Sequence, residues 1–167
     1  MLEKFIEQLA ELKPEMKVLI AEGYSENYIN DIINEFTLRK INSIQVSSKI
    51  NDFLYNFDIQ HFRVLNLFFT NEIDEDTIED HFIFGFIEGG YISFEKSTGY
   101  FYTSYADEIE NSLNIICENE DQFFQILLIV AEFSSKAYEN TDNLEKIKYI
   151  EMCQKIYSKG FFDQLFD

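Results

Sequence analysis

Tryptophan is absent from this 167-residue chain, proline occurs once, and cysteine and histidine occur twice each. With one proline, six glycines and no internal repeat, there is little from which to build a flexible linker. The expectation is one domain over residues 1–167, within the usual range of about 100–200 residues. Cys117 and Cys153 are 36 residues apart and form no Cys-x-x-Cys motif. That excludes a small disulfide-stapled scaffold and predicts two reduced core thiols. No long apolar run occurs: the longest, Ile126 to Ala131, falls far short of the roughly 18 residues a membrane span needs. Acidic residues break the apolar pattern at the N-terminus, so no signal-peptide core is expected there and the chain reads as cytoplasmic. Basic side chains are scarce, 13 against 31 acidic ones, for a net charge of −18. This excludes nucleic-acid binding through a general basic surface, which depends on Lys and Arg neutralising phosphates. It also argues against docking on an anionic membrane.

Signatures of catalysis and cofactor binding are missing too. There is no phosphate-binding Gly-x-x-x-x-Gly-Lys-Ser/Thr loop, and Gly85, Gly89 and Gly90 precede a strand rather than a helix. No Gly-x-Ser-x-Gly elbow occurs. His61 and His81 have no Cys or His at metal-ligand spacing. Asp74-Glu75-Asp76 lacks the glycine and closing register of a calcium loop. The reading is no catalytic residues, no metal and no cofactor. Among 31 acids some close carboxylate pairs arise by chance, so an enzyme using them ranks last.

What the chain has in quantity is aromatic side chains, 18 Phe and 10 Tyr. Up to about Phe69 the pattern is mainly helical. Leu2, Phe5, Ile6, Leu9 and Leu12 keep helical spacing until Pro14. Gly23 closes a turn, Ser25 is placed to cap a helix, and Tyr28, Ile29, Ile32, Ile33 and Phe36 fall on one face. A shorter helix is expected at Ile50, Phe53, Leu54 and Phe57, then a strand from Arg63 to Phe69.

Thr70 to Asp121 reads as a β-rich centre. Phe82, Phe84 and Phe86 alternate, predicting a strand that presents all three on one side. After the Gly89-Gly90 turn come a strand from Tyr91 to Lys96, a turn at Ser97-Thr98-Gly99 and a returning strand from Tyr100 to Tyr105. Phe94 and Phe101 suit the core side of this hairpin, leaving some of Tyr91, Tyr100, Tyr102 and Tyr105 for the other. From about Glu120 helices return, one through Phe123, Phe124, Leu127, Leu128, Ala131 and Phe133. Another runs through Leu144, Ile147, Ile150, Met152, Ile156 and Tyr157 to Gly160, and an apolar tail at Phe161, Phe162, Leu165 and Phe166 docks on the core. The expected class is α+β: a central, mostly antiparallel sheet flanked by N- and C-terminal helices.

Charge is unevenly spread. Residues 70–121 hold 14 acids and one base, Lys96, so −13 of the −18 lies in under a third of the chain. Glu72, Asp74, Glu75, Asp76, Glu79 and Asp80 precede the first central strand; Glu88 sits by the glycine turn; Asp107, Glu108 and Glu110 follow the hairpin. One reading is a solvated loop kept for solubility. The other is that these acids group in space as a surface that steers a cationic partner.

The run Phe84-Gly85-Phe86-Ile87-Glu88-Gly89-Gly90-Tyr91-Ile92-Ser93-Phe94-Glu95-Lys96-Ser97-Thr98-Gly99-Tyr100-Phe101-Tyr102 resembles the central hairpin of the SUKH superfamily, relatives of the fungal Smi/Knr regulators. Phe123-Phe124 and Leu127 fit the paired Phe/Leu of the helix that follows it there. The resemblance spans roughly Phe82 to Phe133. It implies a six-stranded or similar α+β sheet and a non-enzymatic bacterial immunity protein that binds a cognate toxin, often a nuclease, in a polymorphic toxin system. Nuclease toxins are commonly basic because they grip polyanions, so an acidic binder is physically coherent. On this reading Glu72, Asp74, Glu75, Asp76, Glu79, Asp80, Glu88, Asp107, Glu108 and Glu110 supply charge, and Tyr91 and Tyr102 supply apolar contact. The partner is a protein toxin with a basic surface, and the free chain is a monomer. The alternative is an intracellular scaffold or regulatory module of the Smi/Knr type with no toxin partner.

Overall fold

The structure is a computed structural model that describes residues 2–74, 77–107, 112–139 and 145–166. The apolar spacing at the N-terminus forms α1 (Glu3–Glu11), which buries Phe5 and Leu9. After Pro14 a short helix absent from the sequence reading, α2 (Met16–Ala21), buries only Leu19; a six-residue segment that is apolar almost throughout shows no period. Gly23 takes φ +88° to close it. Ser25 accepts a hydrogen bond from the Tyr28 N–H and starts α3 (Glu26–Glu35). Ile29, Ile32 and Phe36 are buried as expected, whereas Tyr28 is exposed. Ser48 likewise caps α4 (Lys49–Asn56), which buries Ile50, Phe53 and Leu54. Phe57, expected on this helix, instead begins β2 (Phe57–Asp58), paired antiparallel with β1 (Arg39–Lys40).

The single strand expected from Arg63 to Phe69 is a hairpin. β3 (Arg63–Val64) turns at Leu65 and Asn66 into β4 (Leu67–Asp74), with Val64 opposite Leu67. Leu65 adopts φ +53°, and its N–H donates to Ser134 Oγ, so a contact 69 residues away holds a turn that contains no glycine. β5 (His81–Ile87), β6 (Gly90–Glu95), β7 (Phe101–Tyr105) and β8 (Asn114–Cys117) complete a six-stranded antiparallel sheet in simple sequence order.

Three register shifts curl this sheet: between Phe69 and Asp74, between Ile83 and Gly85, and between Phe101 and Tyr102. The second corrects the expected Phe82-Phe84-Phe86 face. Phe82 lies opposite Phe94 on the core side and Phe84 is fully buried, but the extra residue sends Phe86 to the opposite face, 41% exposed.

The core side packs against helices. Phe84 meets Phe69, Phe101 and Phe123, and Phe101 stacks on Phe123 at 4.3 Å between centroids. Phe53 sits among Phe62, Phe69 and Phe124. Phe123 and Phe124 come from α5 (Glu120–Tyr138), whose cap, Asn119, accepts from the Gln122 N–H. Glu120 and Asp121 in its first turn suit the positive end of the helix dipole. α6 (Lys146–Ile156) packs on α5 largely as expected: Tyr157 is buried and Ile150, Met152 and Ile156 pack half-buried on the core, with Tyr149 and Cys153 buried beside them, while Ile147 is exposed and Leu144 lies outside the described residues. Aromatic contacts of Phe133 with Tyr149 and Phe166 fix that register. The tail docks through Phe162, Leu165 and Phe166. On its way the Phe161 N–H donates to the Ile115 carbonyl, covering part of the β8 border, and the other border, β3, is two residues long.

Candidate interaction surface

β5 is seven residues long, so its ends are roughly 20 Å apart at about 3.3 Å per residue. The predicted acids divide between those ends. Asp74, Glu79 and Asp80 lie where β4 passes into β5, with Glu72 two residues earlier on β4. Glu88 occupies the β5–β6 turn, and Asp107 follows β7 beside it, since the Ala106 N–H donates to the Gly89 carbonyl. The expected single group is therefore two groups at opposite ends of the sheet. Glu75, Asp76, Glu108 and Glu110 lie outside the described residues.

The two ends differ in chemistry. At the β4–β5 end the carboxylate of Asp74 accepts from both the N–H and the hydroxyl of Thr77. Ile78 and Ile83 bury against this end outside the main core. Glu95 accepts from the hydroxyls of Thr98, Ser97 and Tyr102, the last at 2.8 Å. The Thr98 bond leads in holding its carboxyl below the usual carboxylate range. Burial, with the Glu95 hydrogen bond second, pushes the Tyr102 phenol up to about 12. Tyr102, expected to face a partner, is thus half-buried with its hydroxyl engaged within the chain. His81 is buried beside it, Nδ1 3.0 Å from Ser93 Oγ, and burial holds the imidazole below its ordinary value.

At the other end one register line crosses five strands: Arg63 opposite Phe68, Phe68 opposite Phe86, Phe86 opposite Tyr91, and Tyr91 opposite Ser104. Directly opposed residues share a face, and this line points away from the core helices. Phe68 is 43% exposed, Tyr91 is half-buried, and the Phe86 and Tyr91 rings lie 5.8 Å apart. The Arg63 guanidinium carbon sits 4.1 Å from the Phe68 ring centroid. Of the predicted contact residues, Tyr91 lies in this line, and Glu88 and Asp107 lie beside it at the β5–β6 turn. Phe68, Phe86 and Arg63 were missed. The available signal was Gly85, because an isolated glycine inside a strand pattern marks a bulge.

Elsewhere, a cleft of about 490 Å³ lies between α1, α4 and the residue 43–46 loop, floored by buried Asp52 and Asn56. Asn56 Nδ2 donates to Asp52 at 2.8 Å. His61 pairs with Asp58 at 2.9 Å. Both thiols are buried, and burial pushes each up to about 12. Among the described residues no three His, Cys, Asp or Glu side chains gather as a metal site, and no helix is long and apolar enough to cross a membrane. In comparisons with known proteins, no family model, curated protein or solved structure matches the chain.

Proposed function

We propose that this chain is a non-enzymatic immunity protein of the SUKH type, acting in the cytoplasm, that binds and neutralises a cognate basic, nuclease-type toxin of a polymorphic toxin system. The observation that supports it most is charge left available: Glu72, Glu79, Asp80, Glu88 and Asp107 are all exposed, and among the described residues no cation pairs with any of them. In a chain of net charge −18, such acids speed encounter with a basic protein and make binding salt-sensitive.

The test is co-expression with the product of the neighbouring gene, followed by pull-down at low and high salt and a cell-protection assay. The expected result is a complex that weakens with salt. Glu88→Lys with Asp107→Lys, or Glu72→Lys with Glu79→Lys, should lose protection while the thermal midpoint stays unchanged. If both pairs protect as wild type does, the acidic-surface mechanism is wrong. A gene with no toxin beside it supports the scaffold reading instead.

A further inference from the structure

We propose that the Phe86–Tyr91 pair on the face turned away from the core, with Glu88 and Asp107 at the neighbouring turn, is a receptor for arginine side chains on a basic protein partner. This deepens the immunity reading and rests on it for the partner's biological identity, though not for its chemistry.

Three observations point to arginine. First, the line already holds one: the Arg63 guanidinium lies 4.1 Å from the Phe68 centroid, so a ring on this face takes a planar cation, and the Phe86 and Tyr91 rings continue the same row. Guanidinium groups stack on aromatic faces better than the compact, strongly hydrated ammonium of lysine. Second, two acids sit at the turn next to the pair. Glu88 is two residues beyond Phe86, and Asp107 lies beside the same turn; both are exposed, and among the described residues neither pairs with a cation. Third, the borders of the sheet are poor sites for a partner strand. Beside this line β3 already pairs with Leu67 and Phe68 of β4, and the Phe161 N–H already occupies the Ile115 carbonyl of β8. The partner therefore engages side chains on the face. A second copy is disfavoured, because each brings a charge of −18.

The experiment is an NMR titration of the full chain, ring-labelled at Phe and Tyr, with amidated hexa-arginine and, separately, hexa-lysine at low and moderate salt. The expected result is shifts at Phe86 and Tyr91 and an affinity for the arginine peptide about five-fold or more above the lysine peptide. Phe86→Ser with Tyr91→Ser should weaken hexa-arginine about ten-fold, whereas Glu7→Gln with Glu151→Gln, at exposed positions of α1 and α6, should leave the ring shifts in place. Should the double serine variant fold poorly, Glu88→Gln serves in the same titration, with about three-fold weaker binding expected. Equal affinity for both peptides, shifts confined to the Asp74–Asp80 end, or concentration-dependent shifts without peptide would each overturn the proposal, the last in favour of self-association. Failure here with toxin protection intact overturns the arginine receptor alone. Intact peptide binding with protection absent overturns the immunity reading alone.

Discussion

Phe86 and Tyr91 face each other across β5 and β6 on the side of the sheet turned away from the core, although Phe84, two residues earlier, is wholly buried. Alternation alone would put both phenylalanines together. The extra residue at the Ile83–Gly85 shift separates them, and Gly85 is what lets it form. A Cβ there would come within 3.1 Å of the Phe68 carbonyl oxygen, 3.2 Å of the Phe69 ring and 3.3 Å of Ile92 Cβ.

Gly85→Ala should therefore cost about 1–3 kcal/mol of stability, the range typical of overpacking. Gly90→Ala should cost more, because its Cβ would lie 1.9 Å from the Ser104 carbonyl oxygen, a backbone atom held in the β6–β7 ladder. Urea unfolding of both variants measures this. Equal midpoints would show that the strand spacing at Gly90 is looser than described.

Asn56 is buried and works like a short strand for the exposed segment before α4. Its Oδ1 accepts from the Ile44 N–H at 2.7 Å, and its Nδ2 donates to the Ile44 carbonyl at 2.8 Å. Asn56→Ala should cost about 1–3 kcal/mol by leaving those partners unmatched. Amide exchange at Ile44 should speed by more than the global loss of stability accounts for. Unchanged protection at that amide would contradict this anchoring role.

Burial holds the His81 imidazole below its ordinary 6.5, with the nearby Glu95 and Asp80 carboxylates opposing. The unfolded chain then takes up a proton at higher pH than the native one. Stability should fall as pH drops through about 6.5 and stop falling below the native value. His81→Asn should flatten that slope between pH 7.5 and 5 in urea midpoints. Glu95, held below 4.5, loses its contribution only at lower pH. Glu35, raised above 4.5 mainly by burial, acts with opposite sign, so the difference between wild type and variant isolates His81. Parallel pH profiles for the two would remove His81 as the cause.

Where local chemistry decides the structure, the sequence was readable. Ser25 announced its cap, Gly99 at φ +78° serves the Ser97-Thr98-Gly99 turn, and Phe94 and Phe101 share the core side of the β6–β7 hairpin. Where distant contacts decide, it was not. The turn at Leu65 depends on Ser134, and Ile147, spaced like the packed Ile150 and Ile156 of α6, is left exposed while Tyr149 is buried against Phe133 and Phe166. The interaction surface follows the same division. Exposure of Glu88 and Asp107 was foreseeable from composition, but the separation of the acids depends on strand direction. The Phe68–Phe86 pairing depends on a bulge, which slides one residue without altering the pattern of apolar letters.

The partly covered borders of the sheet bear on how the chain behaves when crowded. Fibrils and swapped dimers recruit unpaired strand edges, and here the terminal tail covers Ile115 while β3 covers Leu67 and Phe68, so the edge not paired by β3 is the rest of β4, from Phe69 to Asp74. Glu72 and Asp74 on that stretch set like charges against the matching strand of a second copy.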